Sequence, residues 1–112
     1  MKVNIKSTNL ELTEAIKTYI YKKMEMAEKY LGKNEVIQWD FEVELTTNHH
    51  HKGDIFRAEV NLAFADEYLR TEHTADDLYK AIDEVKDRLI DLIGKQKDKR
   101  LAKRRVGQKE DA

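Results

Sequence analysis

The spacing of apolar residues changes along this chain, and that change restricts the possible folds more than any other feature of the sequence. Residues 14–31 place apolar side chains three and four positions apart, which is the pattern of a helix with one buried face. Residues 36–46 and 55–64 alternate apolar and polar side chains, as half-buried strands do. The helical spacing returns near residue 78. A chain with this pattern is expected to form a sheet that has one solvent-exposed face, with helices covering its other face.

Two further strands complete the predicted fold. Residues 2–7 read as a first strand with Val3 and Ile5 on one side, and residues 68–73 read as a weaker strand. The element order is then β-α-β-β-β-α. We therefore predict an α+β fold in which a four-stranded sheet carries two helices packed on one face.

The same periodicities predict the core and the helix ends. Thr13 is expected to cap the first helix and Gly32 to stop it, while Thr74, with Asp77 three residues later, is expected to start the second helix. The expected inward positions are Ile16, Tyr19, Ile20, Met24, Ala27, Tyr30 and Leu31, then Ile37, Trp39, Phe41, Val43 and Leu45, then Phe56, Ala58, Val60, Leu62 and Phe64, then Leu69, Thr71 and His73, and finally Leu78, Ala81, Ile82, Val85, Leu89, Leu92 and Ile93.

Charge is distributed unevenly, although the net charge of the 112 residues is only -1. Residues 1–93 carry 13 basic and 19 acidic side chains, whereas residues 94–109 carry 8 basic side chains and one acidic side chain, Asp98. A basic segment of this kind attracts polyphosphate in a salt-dependent manner. No aromatic residue lies among residues 94–109, so we expect recognition of the RNA backbone there rather than base stacking.

Several functional classes are disfavoured by the residue content. The chain has no cysteine, no Gly-rich phosphate loop and no His-Glu-x-x-His pattern, and its start lacks the apolar run of a signal peptide. No stretch approaches the roughly 18 apolar residues of a membrane span. We therefore expect a cytoplasmic binding protein without enzymatic activity, cofactor, small-molecule substrate or membrane partner.

Three consecutive histidines, His49, His50 and His51, raise the question of a metal site. Consecutive side chains of an extended segment point to alternate sides, so the three cannot easily converge on one ion. A polar loop between two strands is the better interpretation, and no metal site is predicted.

Specific runs of residues resemble a known family. The chain contains LELTEAI at residues 10–16, AEKY at 27–30, DLYKAID at 77–83, DRL at 87–89 and KQKDK at 95–99. Across roughly residues 1–100 these runs resemble the ribosome hibernation promoting factors, also called ribosome-associated inhibitors or subunit-interface proteins. The resemblance is to the short form, which lacks a C-terminal dimerisation domain.

The resemblance implies a fold similar to double-stranded-RNA-binding domains and a place between the head and body of the small ribosomal subunit. A protein there would overlap mRNA and the A- and P-site tRNAs, so that whole ribosomes are stored inactive under stress. Basic residues of both helices would contact rRNA phosphates. The positions carried over as rRNA-binding are Lys22, Lys23, Lys29, Lys80, Lys86, Arg88, Lys95, Lys97 and Lys99, with Arg100 as an additional basic residue.

The chain also departs from the family pattern. Ile90, Asp91 and Leu92 stand where a basic residue is common, and Gly94 stands where a helix-favouring residue is usual. The second helix could therefore end at Gly94 or continue through it. We expect residues 1–100 to form the ribosome-binding domain and residues 101–112 to form a basic, disordered tail.

Two alternatives to a ribosome-binding translation inhibitor remain open at the level of the sequence. A general structured-RNA-binding module would bind isolated duplex RNA as tightly as it binds ribosomes. A protein-interaction adaptor would not depend on rRNA at all. No pattern in the sequence indicates whether the protein pairs ribosomes or silences single ones, or which basic residues dominate binding. The source of the protein and the stress that induces it are likewise not encoded in a pattern.

Overall fold

A computed structural model of the chain describes residues 2–32, 36–46, 53–65 and 67–110, with side chains as far as residue 102. The predicted element order is confirmed. In chain order the elements are β1 (Lys2–Thr8), α1 (Glu14–Glu28), β2 (Val36–Thr46), β3 (Ile55–Phe64), β4 (Glu67–Ala75) and α2 (Leu78–Glu110).

The four strands form one mixed sheet in the order β1-β2-β3-β4. β1 runs parallel to β2, with Lys2 opposite Gln38, and this pairing requires a crossover connection, which α1 supplies. The other two pairings are antiparallel. Because β2 and β3 bury alternate side chains only, the helices cover one face and the other face is left to solvent.

The core lies between the helices and the covered face of the sheet. Its central members, all fully or almost fully inaccessible to solvent, are Ile20, Ala27, Leu31, Trp39, Val43, Ala58, Val60, Leu62, Ala81, Ile82, Val85, Leu89 and Ile93. Nearly all of the expected inward positions are therefore correct. Two of them, Ile37 and Tyr30, are not.

Ile37 was expected to point into the core, but its side chain is 56% exposed. A β-bulge explains the difference: Val36 pairs with Phe64 and Gln38 pairs with Ala63, so Ile37 is an extra residue in β2. A bulge shifts the alternation of side chains by one position. Trp39 and the residues after it follow the predicted alternation.

The end of α1 also differs from expectation. Thr13 caps the helix as predicted, since its hydroxyl oxygen accepts a hydrogen bond from the Ile16 amide at 3.2 Å. The helix stops at Glu28, four residues before Gly32, and turns tightly there. Leu31 continues the buried stripe with 2% exposure, whereas Tyr30 lies outside with 51% exposure.

The start of α2 lies later than predicted. β4 extends through Ala75, so Thr74 belongs to the strand and does not begin the helix. The helix begins at Leu78, and Asp77 caps it: its carboxylate accepts a hydrogen bond from the Lys80 amide at 2.9 Å. Thr74 and Asp77 are both residue types that can cap a helix, so the sequence alone leaves the first residue of α2 open. Pairing of Thr74 and Ala75 with β3 places them in the strand and leaves Asp77 as the cap.

α2 continues through Gly94 as a helix of 33 residues. Ile93 is the last buried residue of α2 among the side chains that the structure describes. Beyond it, the Arg100 guanidinium pairs with Glu67 at 3.5 Å and lies 5.8 Å from the centre of the Phe64 ring. The backbone is helical across residue 101, where a tail was expected to begin. The division into a domain and a tail at this point stays a prediction.

Candidate RNA-binding surface

The open face of the sheet is dominated by carboxylates. Arg57 lies at its centre and pairs with Glu44 at 2.8 Å, with Glu59 at 2.8 Å, with Glu72 at 3.2 Å and also with Glu42. Burial alone would lower the pKa of Arg57, but the hydrogen bonds to Glu44 and Glu42 outweigh it and raise that pKa. One guanidinium is thus surrounded by four carboxylates, and this surface repels phosphate.

Glu59 shows how tightly this cluster is connected. It accepts hydrogen bonds from Asn61 at 3.0 Å and Arg57 at 2.8 Å, and it pairs with Arg70 at 3.2 Å. Burial would raise the pKa of Glu59, yet these bonds lower it below its ordinary value. The carboxylate therefore stays charged, and a polyanion is favoured on the helical side of the molecule over this face.

Five of the ten predicted rRNA-binding residues have free cationic ends on that side. Within the described part of the chain they form no ion pair, and all five are exposed: Lys22, Lys29, Lys95, Lys97 and Lys99. Two more, Lys80 and Arg88, are exposed and make only long contacts. Lys80 lies 4.0 Å from Asp76, and Arg88 donates to the carbonyl oxygen of Glu72 at 3.5 Å.

The three lysines of the α2 extension are the most prominent of these cations. Lys95 and Lys99 are one turn apart, and Lys95 is two turns beyond Arg88, so these three share one side of the helix. Lys97 is two residues from each of them, about 200° around the helix, and therefore lies on the opposite side of α2. The structure thus places Arg88, Lys95 and Lys99 along a ridge, with Lys97 on the opposite side of α2, while Lys22 lies on α1 and Lys29 directly after it.

Lys23 has a different environment from the free lysines. Its ammonium pairs with Asp83 of α2 at 3.0 Å and lies 4.7 Å from the centre of the Tyr19 ring. The Tyr19 hydroxyl donates to the same Asp83 oxygen at 2.6 Å, and its ring packs edge-on against Tyr79. We call Tyr19, Lys23 and Asp83 the interhelical triad, since it joins α1 to α2.

The triad keeps its charges across the ordinary pH range. Burial would raise the pKa of Asp83, but hydrogen bonds from Tyr19 and Lys23 lower it below its usual value. The hydrogen bond to Asp83 raises the pKa of both Tyr19 and Lys23. Asp83 and Tyr19 were not predicted as site residues, although Asp83 closes the DLYKAID run that carries the family resemblance.

We predict that Asp83→Asn lowers the free energy of unfolding at neutral pH by about 1 kcal/mol, as for a half-exposed charged hydrogen bond. A depressed carboxyl pKa stabilises the fold above the unfolded-state pKa, and this stabilisation is lost as the pH falls through the folded-state pKa. The difference between the two proteins should therefore shrink as the pH is lowered from about 5 to about 2. Urea unfolding across this range measures it.

Asp98→Asn serves as the control for that prediction. Asp98 lies on the same helix, is exposed, and makes no ion pair with any side chain that the structure describes. Its stability difference should be small. A pH-independent loss in Asp83→Asn would contradict the assigned charge coupling.

Lys86 and Arg100 are also engaged within the protein. Lys86 is only 12% exposed at its side chain and pairs with Asp87 at 2.7 Å. Arg100 joins α2 to the start of β4 through Glu67, which makes it an anchor for the helical extension. Both residues are visibly basic in the sequence. An acidic partner such as Glu67, which lies far from Arg100 in the chain, can be recognised only in the folded structure.

No group of three or more potential metal-ligating side chains is found among residues 2–32, 36–46, 53–65 and 67–102. The loop histidines 49–51 lie outside the described residues. His73 lies on the inner side of β4 as predicted and pairs with Glu84 of α2. In the described part, neither helix has the length and apolar character that a membrane span requires.

The comparison with known protein families decides the relationship. The family model described as Sigma 54 modulation protein / S30EA ribosomal protein matches residues 3–101. This chain belongs to the S30EA family. The runs that carried the resemblance, from LELTEAI to KQKDK, all lie within the matched range.

Three curated relatives in this family are each named ribosome hibernation promotion factor. Those of Lactococcus lactis, Picosynechococcus and Bacillus subtilis are 31%, 29% and 30% identical over 97, 105 and 99 residues. The alignments cover 87%, 93% and 88% of this chain but 50%, 53% and 50% of those proteins. The chain thus spans about half the length of the curated relatives it matches.

Two solved structures have the same fold. The N-terminal domain of Protein Y from Thermus thermophilus matches with a TM-score of 0.70 and 29% identity, over 83% of this chain and 96% of that one. A ribosomal subunit interface protein from Coxiella burnetii matches with a TM-score of 0.61. At 16% identity over 88% of this chain and 99% of that one, it supports the fold alone.

Proposed function

We propose that this chain binds the small ribosomal subunit through its rRNA, occupies the mRNA and tRNA channel, and holds ribosomes in an inactive, hibernating state in the cytoplasm. The observation that carries the proposal is the extension of α2 with its exposed lysines Lys95, Lys97 and Lys99, which have no ion pair among the described residues. Family membership and the relatives' name support the ribosome as the partner.

The two surfaces of the domain have opposite roles in this proposal. Phosphates approach the helical side, where the free lysines displace condensed counterions, and they are repelled by the carboxylates of the open sheet face. The orientation of the protein on RNA is then set by charge. Inhibition is steric, since a bound domain excludes mRNA and tRNA without any chemical step.

Co-sedimentation with purified ribosomes and separated subunits over a salt series tests the proposal. We expect near-stoichiometric binding to the small subunit and to whole ribosomes, with competition by tRNA and mRNA. If about six phosphate contacts form, the slope of log affinity against log salt should be on the order of -4 to -5.

Isolated duplex RNA is the control ligand for this experiment. Binding to the duplex as tight as to ribosomes would favour a general structured-RNA-binding module. Absence from the ribosome pellet at low salt would overturn the proposal and leave a protein-interaction adaptor as the role to test.

A further inference from the structure

A groove of about 430 Å³ lies between the end of α1 and the middle of α2. Its apolar lining consists of Met26, Tyr30 and Ile90. Met26 is 41% exposed and Tyr30 is 51% exposed, while Ile90 is packed partly against the core. The apolar surface is thus open to a partner.

The position of Tyr30 is fixed by the backbone. The amides of Tyr30 and Leu31 donate to the carbonyls of Ala27 and Glu28, both at 3.0 Å, which closes the turn after α1. Leu31 is buried in the core directly beside it in sequence. Because the backbone is already ordered, a partner that stacks on the ring has to fix only the two side-chain torsions of Tyr30.

The charges around the groove distinguish between possible occupants. Lys29 at its rim has no ion pair in the part of the chain that is described, whereas Lys86 is neutralised by Asp87 at 2.7 Å. Asp91 also lines the groove and has no cationic partner among the described side chains. A phosphate inside the groove would be repelled by the Asp91 carboxylate. The uncharged aromatic ring of a nucleobase would not be repelled, and the phosphate of the same nucleotide could reach Lys29 outside the groove.

We propose that this groove binds a single unstacked nucleobase of the RNA partner, with the base face on Tyr30 and its backbone phosphate beside Lys29. Unpaired bases stacked on tyrosine are a common mode of RNA recognition, and Asp91 is an acceptor for an exocyclic amino group. The inference rests on the proposed function and adds to it a contact that is not ionic. The surface is therefore specific for single-stranded or extruded nucleotides of the RNA.

Ribosome binding by Tyr30 variants at several salt concentrations tests the inference. Tyr30→Ala should weaken binding by about 5-fold to 100-fold, the range for loss of one base stack. The slope of log affinity against log salt should not change, because no cation is removed. Tyr30→Phe retains the ring and should bind like the unsubstituted chain.

Tyr68→Ala is the matched control, since Tyr68 is 64% exposed but lies on β4, away from the helices. It should leave binding unchanged. A photo-reactive benzophenone amino acid in place of Tyr30 should crosslink to rRNA, whereas crosslinks to protein alone would identify a peptide occupant and overturn the inference.

The possible failures can be told apart. If the unsubstituted chain does not bind ribosomes, the proposed function fails and the base-binding groove fails with it. If it binds and Tyr30→Ala binds equally well, only the groove inference is overturned. Equal losses in Tyr30→Ala and Tyr30→Phe would show that the hydroxyl, and not the ring face, makes the contact.

Discussion

Replacing Lys95, Lys97 and Lys99 together by glutamine should weaken ribosome binding by about 100-fold to 500-fold near 0.1 M salt. Each phosphate contact changes the slope of log affinity against log salt by about 0.7 to 0.9, which corresponds to about five- to eightfold in affinity at that concentration. The three lysines are exposed and make no ion pair within the described residues, so their loss leaves the fold intact. Sedimentation at four or more salt concentrations measures both quantities.

The matched control removes three cations from the open sheet face: Lys2, Lys6 and Arg70. Lys6 and Arg70 are paired with Glu42 and Glu59 there, but both are largely exposed, and surface pairs of this kind stabilise a protein by about 1 kcal/mol or less. This triple variant should bind almost normally with an unchanged salt slope. Equal losses from the two triple variants would mean that net charge, and not the position of the lysines on α2, governs binding.

The largest effect on stability is expected from Trp39→Ala, at about 3–5 kcal/mol. The Trp39 side chain is fully buried beneath both helices, and its indole nitrogen donates to Glu28 of α1 at 3.1 Å. Removing it leaves a large cavity between the sheet and α1. Urea denaturation monitored by circular dichroism gives the change in the free energy of unfolding, because the substitution also removes the single tryptophan fluorophore.

Ile37→Ala is the control for the strand register. Ile37 lies two positions before Trp39, and simple alternation would bury both side chains on the same face. Because the bulge exposes Ile37, its replacement should change the free energy of unfolding by less than about 0.5 kcal/mol. A loss comparable to that of Trp39→Ala would contradict the bulge.

The fold could be predicted from the sequence because its main determinants are periodic. The alternation of side chains shows which face of β2 and β3 is buried, and the apolar stripes show which side of α1 and α2 is buried. The buried face of the sheet must then pack against the buried sides of the helices. The errors fall where periodicity stops. Ile37 lies at a bulge, and Tyr30 lies in the turn after a helix, and at both places one residue more or less reverses the direction of a side chain.

The candidate site was predictable only in part. A basic residue is visible in the sequence, but whether its charge is available depends on partners that are far away in the chain. Lys23 finds Asp83 sixty residues later, and Arg100 finds Glu67. Lys95 and Lys99 have no such partner in the described part of the chain. Their availability follows from α2 extending beyond the core, which Gly94 left undecided.

The double use of α2 has a consequence for synthesis of the protein. The helix carries Ile82, Val85 and Leu89, which complete the core, and farther along it carries the lysines of the ridge. A nascent chain that ends before α2 exposes the apolar face of its sheet and has an excess of acidic groups. If the chain binds RNA as proposed, its main cationic surface is completed only when α2 has been synthesised, so an unfinished chain would have little attraction for the ribosome that is translating it.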